Sequence, residues 1–463
     1  MKMKILKKLY LHSGIISSND SLNPAFTDSK SQKKSSRWKL FMCEARFFDY
    51  EAEMTFKFGR QSASKKLPAR RKFVTVEAKR NWPSLKGNSI SMQMLNSVQD
   101  EDAPLFFKIS HSAEYQEIQS SFFAASATHS PEAISNILAH HPYHLDSLLI
   151  LSDVCKFGGD LEMSCDLVER CCFIVESKWH ALFNPSKGNC RLPFVYFENR
   201  AYFFALHRHM MALARRGCVR SALEFCKFLL SLDPQVDPLF SVSMIDFLAL
   251  RCEMWQFVID FYSKFKNNFN LTFLPNWSFN IALCHFKLEK IEEAKKLLLK
   301  AIVKFPSCFS SLCEKIEFNN SHPWLINHLS AVKNSSESAL QSIESLFIER
   351  NYLLWKNGEI LAWIKSSLGD LNSFLGSNEK LSMEWQKKRK SDYSPLADNV
   401  KRHILLSDLQ RQVPFPRDES NSKMNMYDPY PPQDTISPYI LHEDSSASSL
   451  VMSFLRTIAP WSS

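Results

Sequence analysis

Apolar positions change texture twice along the chain. From about residue 105 to about residue 370, aromatic and aliphatic residues recur at three- and four-residue spacing, which predicts amphipathic helices. Before 105 the chain is rich in Ser, Lys and Arg, and after about 374 clusters of Ser, Pro, Asn and Asp return. Helix starts and stops carry their own chemistry. "SPEA" (130–133) offers Ser130 as N-cap, Pro131 at the first helical position and Glu132 beside the positive end of the helix dipole. "DPLF" (237–240) predicts a second start from Asp237 and Pro238, and "HHP" (140–142), "RRG" (215–217) and "DPQ" (233–235) predict helix ends.

The helical segments repeat. Tetratricopeptide units have a period of about 34 residues: two antiparallel helices, small residues where they touch, and a proline after the second. "RGCVRSALEFCKFLLSLDP" (216–234) fits the second half of a unit. Gly217 makes the turn, Ala222 the close contact, Cys226 and Leu229 pack inward, and Asp233-Pro234 ends it. "NWSFNIALCHFKLEKIEEAKKLLLKAIVKFP" (276–306) fits over both helices, with Ile281-Ala282, then Ala294, Leu298 and Ala301, and Pro306 closing the unit. A weaker match runs from Leu148 through Gly159 to Ser164, Val168 and Cys171, and 238–266 reads as a helix pair lacking the small contact residues. Ser164, Ala222 and Ala294 are 58 and 72 residues apart, so the array is irregular, and 176–200 reads as an insertion.

The fold class expected is therefore all-α: an irregular tetratricopeptide-like α-solenoid over 105–374, whose stacked pairs leave an elongated concave surface suited to binding. A non-repetitive helical bundle is the alternative. Residues 1–40 are expected to be basic and loosely ordered. Residues 41–104 form a partly ordered extension with one structured piece at "FMCEARFFDYEAEMTFKFG" (41–59), and 375–463 a C-terminal helix plus an extended Pro-rich strap packing on the solenoid.

Composition sharpens this. Ten glycines in 463 residues are few for phosphate-cradling loops or all-β folds and suit a helical array. Residues 1–100 hold 20 Lys/Arg against 8 Asp/Glu, +12 out of a whole-chain +9, so the remainder carries −3. The basic character belongs to the N-terminal segment, clearest in "SKSQKKSSRWK" (29–39), a solvated tail or a contact for nucleic acid, ribosome or acidic partners. Twelve cysteines without a Cys-x-x-Cys pair suggest reduced thiols of a cytosolic or nuclear protein. The opening "MKMKILKKLYLHSGIISS" is broken by Lys7, Lys8 and His12, too charged for a signal peptide, and no membrane contact is expected.

Candidate chemistry is thin. "HHPYH" (140–144) brings three histidines together, but Pro142 keeps them off a shared face, so capping and turn roles are favoured over metal binding. "RHILLSD" (402–408) sets His403 and Asp408 near Ser407, yet reads better as a helix burying Leu405, Leu406 and Leu409 than as a triad. "ENRAYFFALHRHMMALARR" (198–216) could stack on RNA, but Tyr202, Leu206, Met210 and Leu213 share one helix face, as a core stripe would. No catalytic, cofactor or metal site is expected. "MYDPYPPQDTISPY" (426–439) contains a P-x-x-P, but no Arg or Lys lies between Asp428 and Tyr439 to orient a polyproline ligand. Its prolines predict an extended strap instead.

Several of these strings, with "FFKISHSAEYQEIQSSFF" (106–123), "PYHLDSLLILSDVCKF" (142–157), "LPNWSFNIAL" (274–283) and "YDPYPPQDT" (427–435), stand in one order along the chain. Together they resemble the transcription factor 25 family, also known as the family of the first subunit of the ribosome-associated quality control complex. The likeness runs from about 40 to 461. It departs where the family usually carries an acidic segment and a long Lys-rich tract, here reduced to "SKSQKKSSRWK", and where an acidic C-terminal tail is common. The resemblance implies a non-enzymatic adaptor, cytoplasmic and ribosome-associated. Its partners would be the 60S ribosomal subunit, a Listerin-type RING ubiquitin ligase, a Cdc48/p97-type segregase and ubiquitinated nascent chains. The alternative implied by the older name is a nuclear transcriptional co-repressor; the absence of a recognisable DNA-binding motif argues against direct DNA binding. Tyr427, Asp428, Pro429, Pro431 and Pro432 match the family signature, and Arg200, Arg215 and Arg216 flank a predicted helix. These eight are the candidate partner-binding residues. Replacing Asp428-Pro429 by alanines is expected to weaken complex assembly more than thermal stability.

Overall fold

Ser112, Ser130, His144 and Asp160 each hold a side-chain acceptor 2.9–3.3 Å from a backbone N–H in the first turn of the helix that follows. These caps start four helices: α2 (Ala113–Ala127), α3 (Pro131–His140), α4 (Leu145–Phe157) and α5 (Leu161–Ser177). The computed structural model describes residues 39–59, 75–85, 87, 89–96, 103–318, 324–325, 338–415 and 427–439. The expectations for the basic segment before residue 39 and for the chain beyond 439 lie outside the described residues.

Preceding these helices are α1 (Tyr50–Phe58) and strands β1 (Ile90–Met94) and β2 (Leu105–His111). The array continues with α6 (Phe197–Arg215), α7 (Val219–Leu232), α8 (Val242–Arg251), α9 (Trp255–Phe265), α10 (Pro275–Lys287), α11 (Ile291–Lys304) and α12 (Pro306–Lys315). It closes with α13 (Ser338–Trp355), α14 (Gly358–Leu368), α15 (Leu371–Ser377), α16 (Glu379–Ser391) and α17 (Asp398–Leu406). Successive helices pack as neighbours: α4 on α5, α6 on α7, α10 on α11. The chain is an all-α solenoid-like fold with an extended C-terminal strap. Among the described residues no helix is long and apolar enough to cross a membrane.

A shared turn makes the pairs. Gly159, Gly217, Glu253, Glu289 and Glu317 all take left-handed φ values, from 58° to 86°. After each, the next N–H reaches back to the carbonyl five residues earlier: Asp160 to Cys155, Cys218 to Leu213, Met254 to Ala249, Lys290 to His285 and Phe318 to Cys313, all 2.8–3.0 Å. This is the Schellman closure of a helix end. Gly217, Glu253 and Glu289 are 36 residues apart, so three consecutive pairs are regular. The sequence pattern hides this because two of these three turns use Glu where Gly is the usual residue.

The small contact residues behave as the repeat pattern requires. Ala222, Cys226, Ala282, Ala294 and Leu298 are fully buried, as are Tyr202, Leu206, Met210 and Leu213 on α6. α10 is covered on two sides. Trp277, Ile281 and Cys284 join the core shared with α6–α9, and Phe279, Ala282 and Leu283 join the core built with α11–α14.

Four expectations are corrected. "LFFKISH" is a strand: Leu105, Phe107, Ile109 and His111 are buried alternately, a period of two rather than a helical one. It pairs antiparallel with β1 and, inside the expected insertion, parallel with the two-residue strand β3 (Cys190–Arg191). Pro238 does not open a helix; α8 begins at Val242, and the Asp237 carboxylate reaches forward to the N–H groups of Ser241 (2.7 Å) and Val242 (3.1 Å). Pro306 does not close a unit but opens α12 at its first position, where a missing N–H costs nothing. On α17 the buried face is Val400 to Ile404, including Arg402 and His403, while Leu405, Leu406 and Leu409 are only half-buried.

The extension docks on the array. Glu53 of α1 accepts from Ser221 N and Oγ, both at 2.8 Å, and from Arg220 N at 3.1 Å. It thereby caps α7 from outside that helix, and Phe48 packs edge-on against Phe225.

Candidate functional site at the strap junction

α6 begins where the chain leaves "PFVY" (193–196), and the first turn of the helix places Arg200 directly beneath residues 427–436. Arg200 is 1% exposed. Its Nε donates to Phe194 O (3.0 Å), one Nη to the Asp428 carboxylate, and the other to Thr435 Oγ1 (2.6 Å) and Val195 O (3.3 Å). The Phe194 and Phe197 rings lie 5.3 and 5.8 Å from the guanidinium carbon.

Arg402 of α17 enters the same junction. Its Nε donates to Pro429 O (3.1 Å) and Tyr430 O (3.0 Å), one Nη to Tyr430 O (2.9 Å) and the other to Pro238 O. Burial pulls the Arg402 guanidinium down to about 10. The same desolvation raises the Asp428 carboxyl above the usual carboxylate range, and the two arginines oppose that shift. The acid thus pairs with Arg200 of α6, while Arg402, about 200 residues further along on α17, holds the adjoining strap carbonyls and acts on Asp428 through its charge.

The rest of the strap is tied at both ends. Tyr427 packs on Phe122 and Phe123 of α2, both at 5.5 Å between centroids. Ile436 bridges in parallel to Tyr196, with Phe197 N donating to Ile436 O (3.0 Å) and Ile436 N to Val195 O (2.9 Å). Tyr439 packs on Phe123 and Phe197, and its hydroxyl is 2.7 Å from His111 Nδ1. Pro431 and Pro432 are half-buried beside exposed Gln433 and Asp434.

The eight candidate residues fall into two groups. Arg200, Asp428 and Pro429 are brought together, but inward, so they hold the strap rather than face solvent. This redirects the expectation for the Asp428-Pro429 replacement: stability should suffer first. Tyr427, Pro431 and Pro432 remain partly accessible. Arg215 and Arg216 lie at the other end of α6, roughly 22 Å from Arg200 by helical rise. Arg215 shares Asp408 with Lys156, and Arg216 lies 3.6 Å from Glu169 and 5.7 Å from the Tyr50 ring. The structure does not bring them to the strap.

A second buried polar group adjoins the junction. His403 places Nδ1 2.8 Å from Leu239 O, so that nitrogen carries the proton and Nε2 accepts from Arg350. Arg350 also donates to Ser243 Oγ at 3.1 Å, and burial holds it down to about 10. Sequence reasoning missed Arg350 and Arg402; the signal was an Arg-His pair on what otherwise reads as an apolar helix. His144 is a cap, hydrogen-bonded to Gln119 at 3.0 Å. Among the described residues no group of three His, Cys, Asp or Glu is placed to hold a metal ion.

Residues 107–432, from β2 to the prolines of the strap, match the family described as "Transcriptional repressor TCF25". The chain belongs to the TCF25 family. "Ribosome quality control complex subunit TCF25" of Homo sapiens is 31% identical over 454 residues, covering 92% of this chain and 66% of that protein. The Mus musculus protein of the same name gives the same figures. The Dictyostelium discoideum protein of that name is 32% identical over 352 residues, 69% of this chain and 47% of its own length. The chain therefore spans 66% or less of the length of these TCF25 relatives. No solved structure matches. Both the strap signature and the helices it crosses lie within the TCF25 match.

Proposed function

We propose that the chain is a non-enzymatic adaptor subunit of the ribosome-associated quality control complex. It acts on stalled nascent chains held on the 60S subunit, together with a Listerin-type ubiquitin ligase and a Cdc48/p97-type segregase, to promote ubiquitin-dependent degradation. The observation that carries this reading is the 31% identity, across 92% of this chain, to a protein named as a subunit of that complex. A solenoid of stacked helix pairs suits it, because such arrays present extended surfaces to several partners at once. Tyr427, Pro431 and Pro432, with Arg215 and Arg216 at the far end of α6, are the accessible candidates for those contacts, and Arg200, Asp428 and Pro429 hold the strap that displays the first three. The location proposed is cytoplasmic and ribosome-associated.

The test is sedimentation of tagged protein through a sucrose gradient, with affinity purification from the 60S fractions. Co-migration with 60S subunits that increases when stalling is induced, with ligase and segregase recovered, is the expected result. Absence from the 60S region even after stalling sinks the reading. The family description "Transcriptional repressor TCF25" favours a second reading, a nuclear co-repressor scaffold. Steady-state nuclear protein with no ribosomal co-purification would select it.

A further inference from the structure

Beyond the strap, a cleft of about 270 Å³ opens between the C-terminal end of α9, the short turn Leu271–Phe273, and α10 and α11. Ile281, Leu297 and Ala301 give it an apolar side. Lys266, Lys300 and Lys304 give it a cationic one. Two other lysines of α10 and α11 are paired, Lys287 with Glu359 and Lys295 with Asp370. Among the described residues no carboxylate lies within ion-pair distance of the three cleft lysines.

Lys304 is the unusual member. Its residue is only 6% exposed, and its Nζ lies 3.2 Å from Thr272 O and 4.6 Å from the Trp385 ring centroid. An ammonium has three N–H donors, and one carbonyl and one ring face leave it under-satisfied. Burial, reinforced by Lys300 and Lys388 and opposed by Glu384, pulls it down to about 8. Opposite, on α10, the buried Ser278 Oγ lines the same cleft and has no hydrogen-bond partner. A buried cation and a buried hydroxyl facing one cavity are costly to the chain alone and complementary to an anion.

We propose that this cleft binds an acidic peptide segment, seating a carboxylate on Lys304 and Ser278 and a neighbouring apolar side chain on Ile281 and Leu297. Lys300 and Lys266, both exposed, draw the acidic chain to the mouth. Nucleic acid fits less well. The lining has no arginine to fork onto phosphate, and Trp277 is fully buried, stacked on Phe261 and Tyr262 at 5.3 and 6.2 Å, with no ring face left for a base. The inference stands on these side chains and does not depend on the ribosome reading.

The experiment is fluorescence anisotropy on the full chain with a short fluorescein-labelled peptide of glutamate, leucine and alanine. Its glutamine-for-glutamate counterpart and an oligouridylate RNA serve as comparisons. The acidic peptide should bind, the glutamine peptide at least about tenfold more weakly, and Lys304→Gln should lose about tenfold. Affinity should also fall as pH rises above about 8, where Lys304 gives up its proton. Because Lys304→Gln also removes packing on Trp385, Lys300→Glu at an exposed position is the second variant, and it should weaken binding with an unchanged melting temperature. Equal binding of the glutamine peptide, tighter binding of the RNA, unchanged affinity in Lys300→Glu, or no binding by the native chain overturns the proposal.

Discussion

Under the strap, Arg200 is buried against the Asp428 carboxylate and Arg402 against the carbonyls of Pro429, Tyr430 and Pro238; beyond α10, Lys304 is also buried, and no carboxylate lies within ion-pair distance of it among the described residues. The turns differ in the same sense. The left-handed position is Gly at 159 and 217 in the strap-covered half, and Glu at 253, 289 and 317 further on. Side chains take left-handed φ in both halves, at His129, Asp237, Phe240 and Tyr430 as well as at these glutamates, so what sets the second apart is the Glu in its Schellman turns and, among the described residues, a buried cation with no acid in reach. Departures of this kind, where several local rules are broken in one region, are where function is usually served at the expense of stability.

The largest expected effect breaks the matched half. Asp428→Asn keeps the shape and removes the charge, leaving the Arg200 guanidinium buried without its acid, and should cost about 3–5 kcal/mol in chemical denaturation. The combination of Arg200→Met with Asp428→Leu should be much milder, because both charges leave together. A loss under about 1 kcal/mol for Asp428→Asn would reduce the junction to the worth of a surface pair.

Next, Lys304→Met should stabilise the chain at pH 7 by about 1–2 kcal/mol, since it removes a buried, under-satisfied ammonium. The pH dependence has a definite sign. Between about 8 and the ordinary lysine value of 10.5, the unfolded chain holds a proton that the folded chain has released, so native stability rises with pH across that window. Burial sets most of that lowering, with Lys300 and Lys388 adding to it and Glu384 opposing it, while Lys266 lines the same cleft. The advantage of Lys304→Met should therefore shrink from pH 8 to 10.5, and a pH-independent gain would contradict the assignment. The smallest effect concerns the turns: Glu253→Gly should add about 0.5 kcal/mol, read as a rise in melting temperature. A loss there would show that the Glu253 side chain contributes more than its backbone strain costs.

Legibility in the sequence followed the range of the interaction. The helices, the paired repeat and the inward small residues Ala222, Ala282 and Ala294 were all readable, because three- and four-residue spacing is local information. The strand at Leu105–His111 was misread, since its seven residues carry both periods until β1 and β3 claim its edges. Arg200 was read as a surface candidate because nothing within its own helix shows that residues 228 positions away will cover it.

Composition, repeat pattern and the ordered family strings determined by themselves that this is a helical-repeat chain of the TCF25 family, with a Pro-rich strap at its end. Only the tertiary structure decided that the strap is latched by Arg200 onto Asp428 and by Arg402 onto the carbonyls of Pro429 and Tyr430, and that Lys304 and Ser278 face one cleft. The physical reason is that a charge's cost and purpose depend on what surrounds it in space, and burial and pairing are set by helices far apart along the chain.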